Sequence, residues 1–72
     1  MFDPVQYAIR GRDASSLAGS LEAAVREGRL VPGMQAPTVR ALAKALRLSP
    51  GTVAAAYRSL RLRGILRGEG RL

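Results

Sequence analysis

The sequence predicts a mainly α fold, three helices with a small β-hairpin or sheet, and three observations carry that prediction. Apolar residues recur at helical spacing in three separate stretches, each introduced by a residue that caps helices well. Only "RLS", residues 47–49, joins the second stretch to the third. After Gly64 the helical pattern gives way to "ILRGEGRL", an apolar strand start with a glycine-rich tip.

Each element follows from its residues. Residues 1–12 lack helical periodicity and "VQYAI" alternates weakly, so they read as an extended N-terminal leader or a short first strand. Residues 13–72 then form one domain. Asp13 offers an N-cap, and Leu17, Leu21, Ala24 and Val25 fall on one stripe of a first helix. Glu22 and Arg26 make a favourable i,i+4 pair on its wet face, and Gly28 supplies a stop. Gly19, inside this helix, costs about 1 kcal/mol relative to Ala.

Pro32-Gly33 suits the centre of a type II turn, with residues 29–31 long enough for a short strand before it. Thr38 caps a short second helix with the stripe Val39, Leu42, Ala43 and Leu46, which must be packed to be stable. Ser49 caps a third helix. Pro50 fits its first position, where the N–H is unpaired anyway, and Val53, Ala56, Tyr57 and Leu60 form its stripe. Gly64 ends it, although "LRLR" at 60–63 also alternates as a strand would. The hairpin after it has no visible returning strand before Leu72, so it reads as truncated and the chain as a fragment.

Composition bounds the function. Seventy-two residues make one small domain, near the lower limit for a self-sufficient core. The chain is 47% apolar, chiefly Ala, Leu and Val, with Phe2, Tyr7 and Tyr57 as its aromatics. It has no Cys and no His, and its carboxylates (Asp3, Asp13, Glu22, Glu27, Glu69) are scattered. No catalytic residue or metal site is therefore expected, and the chain is not expected to be an enzyme. No apolar run approaches the roughly 20 residues of a membrane span and no signal peptide is visible, which points to the cytoplasm and to no membrane partner. Twelve Lys and Arg against five acids give a net charge of +7. Lys44 is the one lysine. Such an Arg excess suits phosphate, which the guanidinium grips bidentately, while GC-rich coding enriches Arg as well.

The charge is also arranged. Arg40, Lys44 and Arg47 lie at i, i+4 and i+7, away from the apolar stripe of the second helix and with no acid beside them. A merely solvated face is the plain alternative. On the third helix Gly51, Ala54 and Ala55 share a face away from the core stripe, with Arg58 one turn further along. Small side chains there let a backbone approach a groove wall, and free N–H groups at the tip suit a phosphate. An idle alanine face has the same spacing. A short helix, a three-residue turn and a second helix with a bare tip make a helix-turn-helix, whose second helix enters the major groove of DNA.

The stretch "GRLVPGMQAPTVRALAKALRLSPGTVAAAYRSLRLRGIL" resembles the N-terminal winged-helix domain of GntR-type bacterial transcription regulators. The likeness runs over residues 17–71 and rests on "GRL.PG", "PTVRALA" and "S.GTV..AYR.L...G.L" in order. The leading "YAIRGRDASSLAGSLEAAVREGRL" and "SPGTVAAAYR" look more like the MocR branch, where this domain is fused to one resembling pyridoxal-phosphate-dependent aminotransferases. The resemblance implies a winged helix-turn-helix that binds double-stranded DNA sequence-specifically, with the third helix in the major groove and the wing at the minor groove. It implies a homodimer in the full-length protein. It implies no cofactor in this chain, pyridoxal phosphate belonging to an absent C-terminal domain in the MocR branch.

By the same resemblance Arg40 touches DNA, as do Pro50, Gly51, Thr52 and Ala54 at the start of the third helix and the wing tip, Glu69, Gly70 and Arg71. The expected DNA-binding set also takes in the capping residues Thr38 and Ser49 and the cations Lys44 and Arg58. Thr52 is the best side chain in it for a hydrogen bond to a base or phosphate. Many relatives carry Arg or Lys at position 50, Asn or Thr at 51 and a basic residue at 54. Backbone or water-mediated contacts must therefore carry more of the readout here. The turn usually has Gly where Arg47 stands. Two other readings of the basic face compete: a helical protein-interaction module meeting an acidic partner, and a small RNA-binding protein, which would want interleaved aromatics. A membrane-surface helix is weaker still, because no helix pairs a bulky apolar face with a Lys-rich one.

Overall fold

A computed structural model describes residues 7–68 and 70–72. Among these, three helices form, α1 (Ala14–Arg26), α2 (Val39–Leu46) and α3 (Pro50–Leu62), with α3 packed against both others.

Each helix starts where its cap chemistry dictates. The Asp13 carboxylate accepts the Ser16 N–H at 2.8 Å and the Ser16 hydroxyl accepts the Asp13 N–H at 3.2 Å, a reciprocal capping box. The Ser16 N–H also holds the Asp13 carboxyl below its ordinary pKa. Thr38 Oγ1 accepts the Ala41 N–H at 3.1 Å, and Ser49 Oγ accepts the Thr52 N–H at 3.2 Å. Gly64 ends α3 at φ 75, a left-handed conformation that suits glycine. The Ile65 N–H then reaches the Leu60 carbonyl at 2.9 Å and the Gly64 N–H the Arg61 carbonyl at 3.1 Å, a Schellman closure.

The three stripes meet in one aliphatic core. Leu17, Leu30, Leu42, Val53 and Leu60 are fully buried, each side chain worth about 1.5–3 kcal/mol out of water. On α1 the stripe sits slightly rotated from the expected one: Ala18 is buried and Val25 only half-buried. Tyr57 is buried too, and its hydroxyl donates to the Pro37 carbonyl at 2.6 Å. Burial pushes its pKa up to about 12. That bond straps α3 to the residue before the cap of α2.

Three expectations change. The described part of the leader forms no strand: Tyr7 and Ala8 turn, Ala8 at φ 56, and Ile9 enters the core. Gly11 lies so close to α1 that a Cβ there would come within 2.7 Å of the Leu17 backbone. Residues 1–6 of the leader lie outside the described residues. Residues 29–31 form no strand either. Leu30 is drawn into the core, its N–H bonding the Ala24 carbonyl at 3.1 Å, while the Arg29 guanidinium bonds the Tyr7 carbonyl at 2.9 Å. The turn that follows is as expected, with Gly33 at φ 90 and the Met34 N–H on the Val31 carbonyl at 3.1 Å.

The third change concerns the end of the chain. A returning arm, expected to be missing, is present as Arg71 and Leu72. Arg67 and Arg71 exchange backbone bonds of 2.7 and 2.9 Å, and Arg71 also bridges Gln35. Leu72 bonds Met34 and Gly33 at 3.0 and 2.8 Å. Among the described residues these are isolated bridges rather than strands, because the arm is short and divides its pairing between two segments.

Candidate nucleic-acid interface

The amphipathic packing of α2 decides what it shows to solvent. Leu42 and Ala43 are buried in the core, which leaves Arg40 and Lys44 exposed, followed by Arg47 at the helix end. Arg58 is exposed on α3. Among the described residues none of these four cations has a hydrogen-bond or ion-pair partner for its side chain. The other arginines at this end of α3 are engaged: Arg63, just past the helix, pairs with Glu22 of α1, and Arg61 donates to the Gly68 carbonyl.

The tip of α3 is bare and carries spare donors. Gly51 is exposed, and a Cβ there would meet nothing nearer than Ser49 Oγ at 4.0 Å, so nothing inside the fold requires glycine. Pro50 has no N–H. The hydroxyls of Ser49 and Thr52 lie 2.9 Å apart, with either able to donate. One hydroxyl proton closes that bond, which leaves the other for an outside acceptor. Ala54 and Ala55 are half-buried, so the small face expected of this helix is only partly open.

The remaining expected residues divide. Thr38 is exposed, its hydroxyl oxygen accepting the Ala41 N–H, and Arg71 is exposed with its guanidinium donating to the Gly33 carbonyl at 3.3 Å. Gly70, in the loop between the paired Arg67 and Arg71, is buried, and its carbonyl accepts the Ala36 N–H at 2.7 Å. Glu69 lies outside the described residues. Sequence reasoning missed a cavity of about 160 Å³ between the start of α2 and α3, lined by Gln35, Pro37, Thr38, Tyr57, Arg61 and Gly70. No local signal joins these residues; the Tyr57–Pro37 bond and the return of the chain at Gly70 bring them together.

The gntR-family model of bacterial regulatory proteins matches residues 13–71. The chain belongs to that family. Membership makes it a DNA-binding domain of a transcription regulator, of a non-enzymatic kind. Neither the curated proteins nor the solved structures searched include a significant match.

The matched part of this GntR domain begins at Asp13, the cap of α1, and so includes all three helices. Its larger cavity, of about 640 Å³, lies elsewhere, between residues 8–12 and α1. Arg10, Arg12, Arg29 and Ser20 line it, and no residue of α2 or α3 does. Among the described residues no cluster of carboxylates could hold a metal ion, and no helix of the GntR domain is long and apolar enough to cross a membrane.

Proposed function

We propose that this GntR domain binds double-stranded DNA sequence-specifically, with the first half of α3 in the major groove and the cations of α2 on the phosphates. The carrying observation is that Arg40, Lys44 and Arg58 stand exposed, without a side-chain partner among the described residues, beside a helix tip free of bulk. A cation held in solvent without a carboxylate neighbour keeps its full attraction for phosphate, and contact then releases the counterions of the duplex. Gly51 and Pro50 allow the tip to come close. Thr52 and Ser49 between them supply one outward hydroxyl proton for a base or phosphate acceptor. In this reading residues 65–72 serve as the wing beside the minor groove, with Arg71 as its cation.

The same reading extends to the whole protein. The leading segment and the "SPGTVAAAYR" wording favour the MocR branch, a homodimer binding paired half-sites, and action in the cytoplasm. Pyridoxal phosphate would then belong to a second domain.

Fluorescence anisotropy of a labelled duplex, titrated from low to high salt, tests the reading. With about four phosphate contacts, log K against log salt falls with a slope near −3.6. A single domain engages one half-site and binds weakly, and a covalently paired version gains affinity through effective concentration. A salt-independent affinity contradicts the phosphate contacts. Preference for an acidic protein or for RNA over the duplex favours the competing readings.

A further inference from the structure

Arg47 stands at the joint between α2 and α3 in a backbone conformation that glycine takes without steric cost. Its φ of 57 and ψ of 43 lie in the left-handed region, where a Cβ crowds the following carbonyl. Glycine occupies five other positive-φ positions of the described chain, Gly28, Gly33, Gly64, Gly68 and Gly70. Ala8 is the other residue with a side chain in this conformation.

The conformation itself is needed. The Arg47 N–H bonds the Lys44 carbonyl at 3.3 Å and the Leu48 N–H bonds the Ala43 carbonyl at 2.9 Å, which turns the chain from α2 to the cap of α3. The arginine is not needed for that turn. Its side chain is exposed, and among the described residues it has no acceptor. Neither packing nor internal pairing accounts for a charged residue at a strained position. Strain of this kind persists where the surrounding structure holds it, and it gathers at functional sites. Arg47 also continues the series Arg40 and Lys44 and stands two residues before Ser49, so it links the cationic face of α2 to the tip of α3.

We infer that Arg47 is a phosphate-binding residue, held by a strained turn between the cations of α2 and the tip of α3, and that the chain loses stability by keeping it. This rests on the proposed binding of DNA by α2 and α3. A phosphate contact is blind to base sequence, so its loss weakens every duplex alike.

The experiment compares Arg47→Gly, Arg47→Asn and Arg47→Lys with the parent. Each is unfolded in urea and titrated by anisotropy against two duplexes of unrelated sequence across a range of salt. Arg47→Gly lowers the unfolding equilibrium constant roughly twofold to tenfold, relief of strain exceeding the freedom glycine adds to the unfolded chain. It also weakens both duplexes equally and flattens the salt slope by about 0.9. Arg47→Asn, which tolerates the same backbone, flattens the slope as well. Arg47→Lys keeps the slope and gains no stability. Gly and Asn variants that bind with the parent's affinity and slope overturn the inference while leaving DNA binding intact. So does a loss of affinity with the slope unmoved, since a looser turn that misplaces α3 acts in that way. A parent without salt-dependent duplex binding overturns the proposed function and this inference together.

Discussion

Helices α1 and α2 are each capped by a polar side chain and both pack on α3, yet their charges are treated in opposite ways. Every carboxylate among the described residues lies in or beside α1. Asp13 caps it, Glu22 holds Arg26 at 3.3 Å and also Arg63, and Glu27 holds Arg29 at 3.0 Å. From residue 38 to residue 63 there is no acid at all. Arg40, Lys44, Arg47 and Arg58 in that span have no side-chain partner among the described residues. Exposed ion pairs contribute only about 0.2–1 kcal/mol, so folding neither demands the pairs of α1 nor suffers much from their lack on α2. The difference is therefore better explained by what each surface meets. On the proposed binding of DNA, α1 serves as scaffold and the cations of α2 meet an anion supplied from outside.

The comparison breaks first at the shared core. Leu60 is fully buried in α3, the helix that packs on both others, so Leu60→Ala should cost about 2–5 kcal/mol and abolish folding and DNA binding together. A urea midpoint close to the parent's would mean that α3 is not the central helix. Next comes the tip. Gly51→Val places a branched side chain where the fold leaves open space, so stability stays near the parent's. DNA affinity should fall by about 1–3 kcal/mol, the worth of a good polar contact. Melting and anisotropy run together check this, and a variant that folds and binds like the parent would remove α3 from the groove.

A smaller effect tests the strap between the two surfaces. Tyr57→Phe loses the bond to the Pro37 carbonyl and about 0.5–1.5 kcal/mol. The folded hydroxyl keeps its proton up to about pH 12, against an ordinary value of 10.0. This stabilisation is therefore complete below pH 10.0 and is lost as pH rises through about 12, where the unfolded chain has already ionised. Urea midpoints measured across that window should fall for the parent and stay flatter for the Phe variant. Least of all, Glu22→Gln should change stability by no more than about 1 kcal/mol, because both of its ion pairs are exposed on the arginine side.

What was legible in the sequence was what local chemistry determines. Asp13, Thr38 and Ser49 each announce a helix by offering an oxygen to an amide three residues on, and Gly28 and Gly64 announce the ends by accepting left-handed geometry. The cations of α2 were legible for the same reason, since helical spacing alone puts them opposite Leu42 and Ala43. What stayed hidden depends on partners far along the chain. Gly11 matters because the leader presses on Leu17, and residues 29–31 lose their strand because Leu30 turns inward. Gly70 is buried and bonded to Ala36, and Glu22 of α1 reaches Arg63 at the end of α3. The left-handed turn at Arg47 was marked only by likeness to a family whose turn usually has Gly there, since an arginine gives no local signal for it.

The central claim is that the free cations of α2, and not the neutralised cation of α1, meet the phosphates. The direct measurement is the salt slope of duplex affinity for Arg40→Ala beside that for Arg26→Ala. Arg40→Ala should weaken binding on any duplex and flatten log K against log salt by about 0.9, while Arg26→Ala leaves both unchanged. Equal flattening by the two variants, or a slope that Arg40→Ala does not move, would contradict the account.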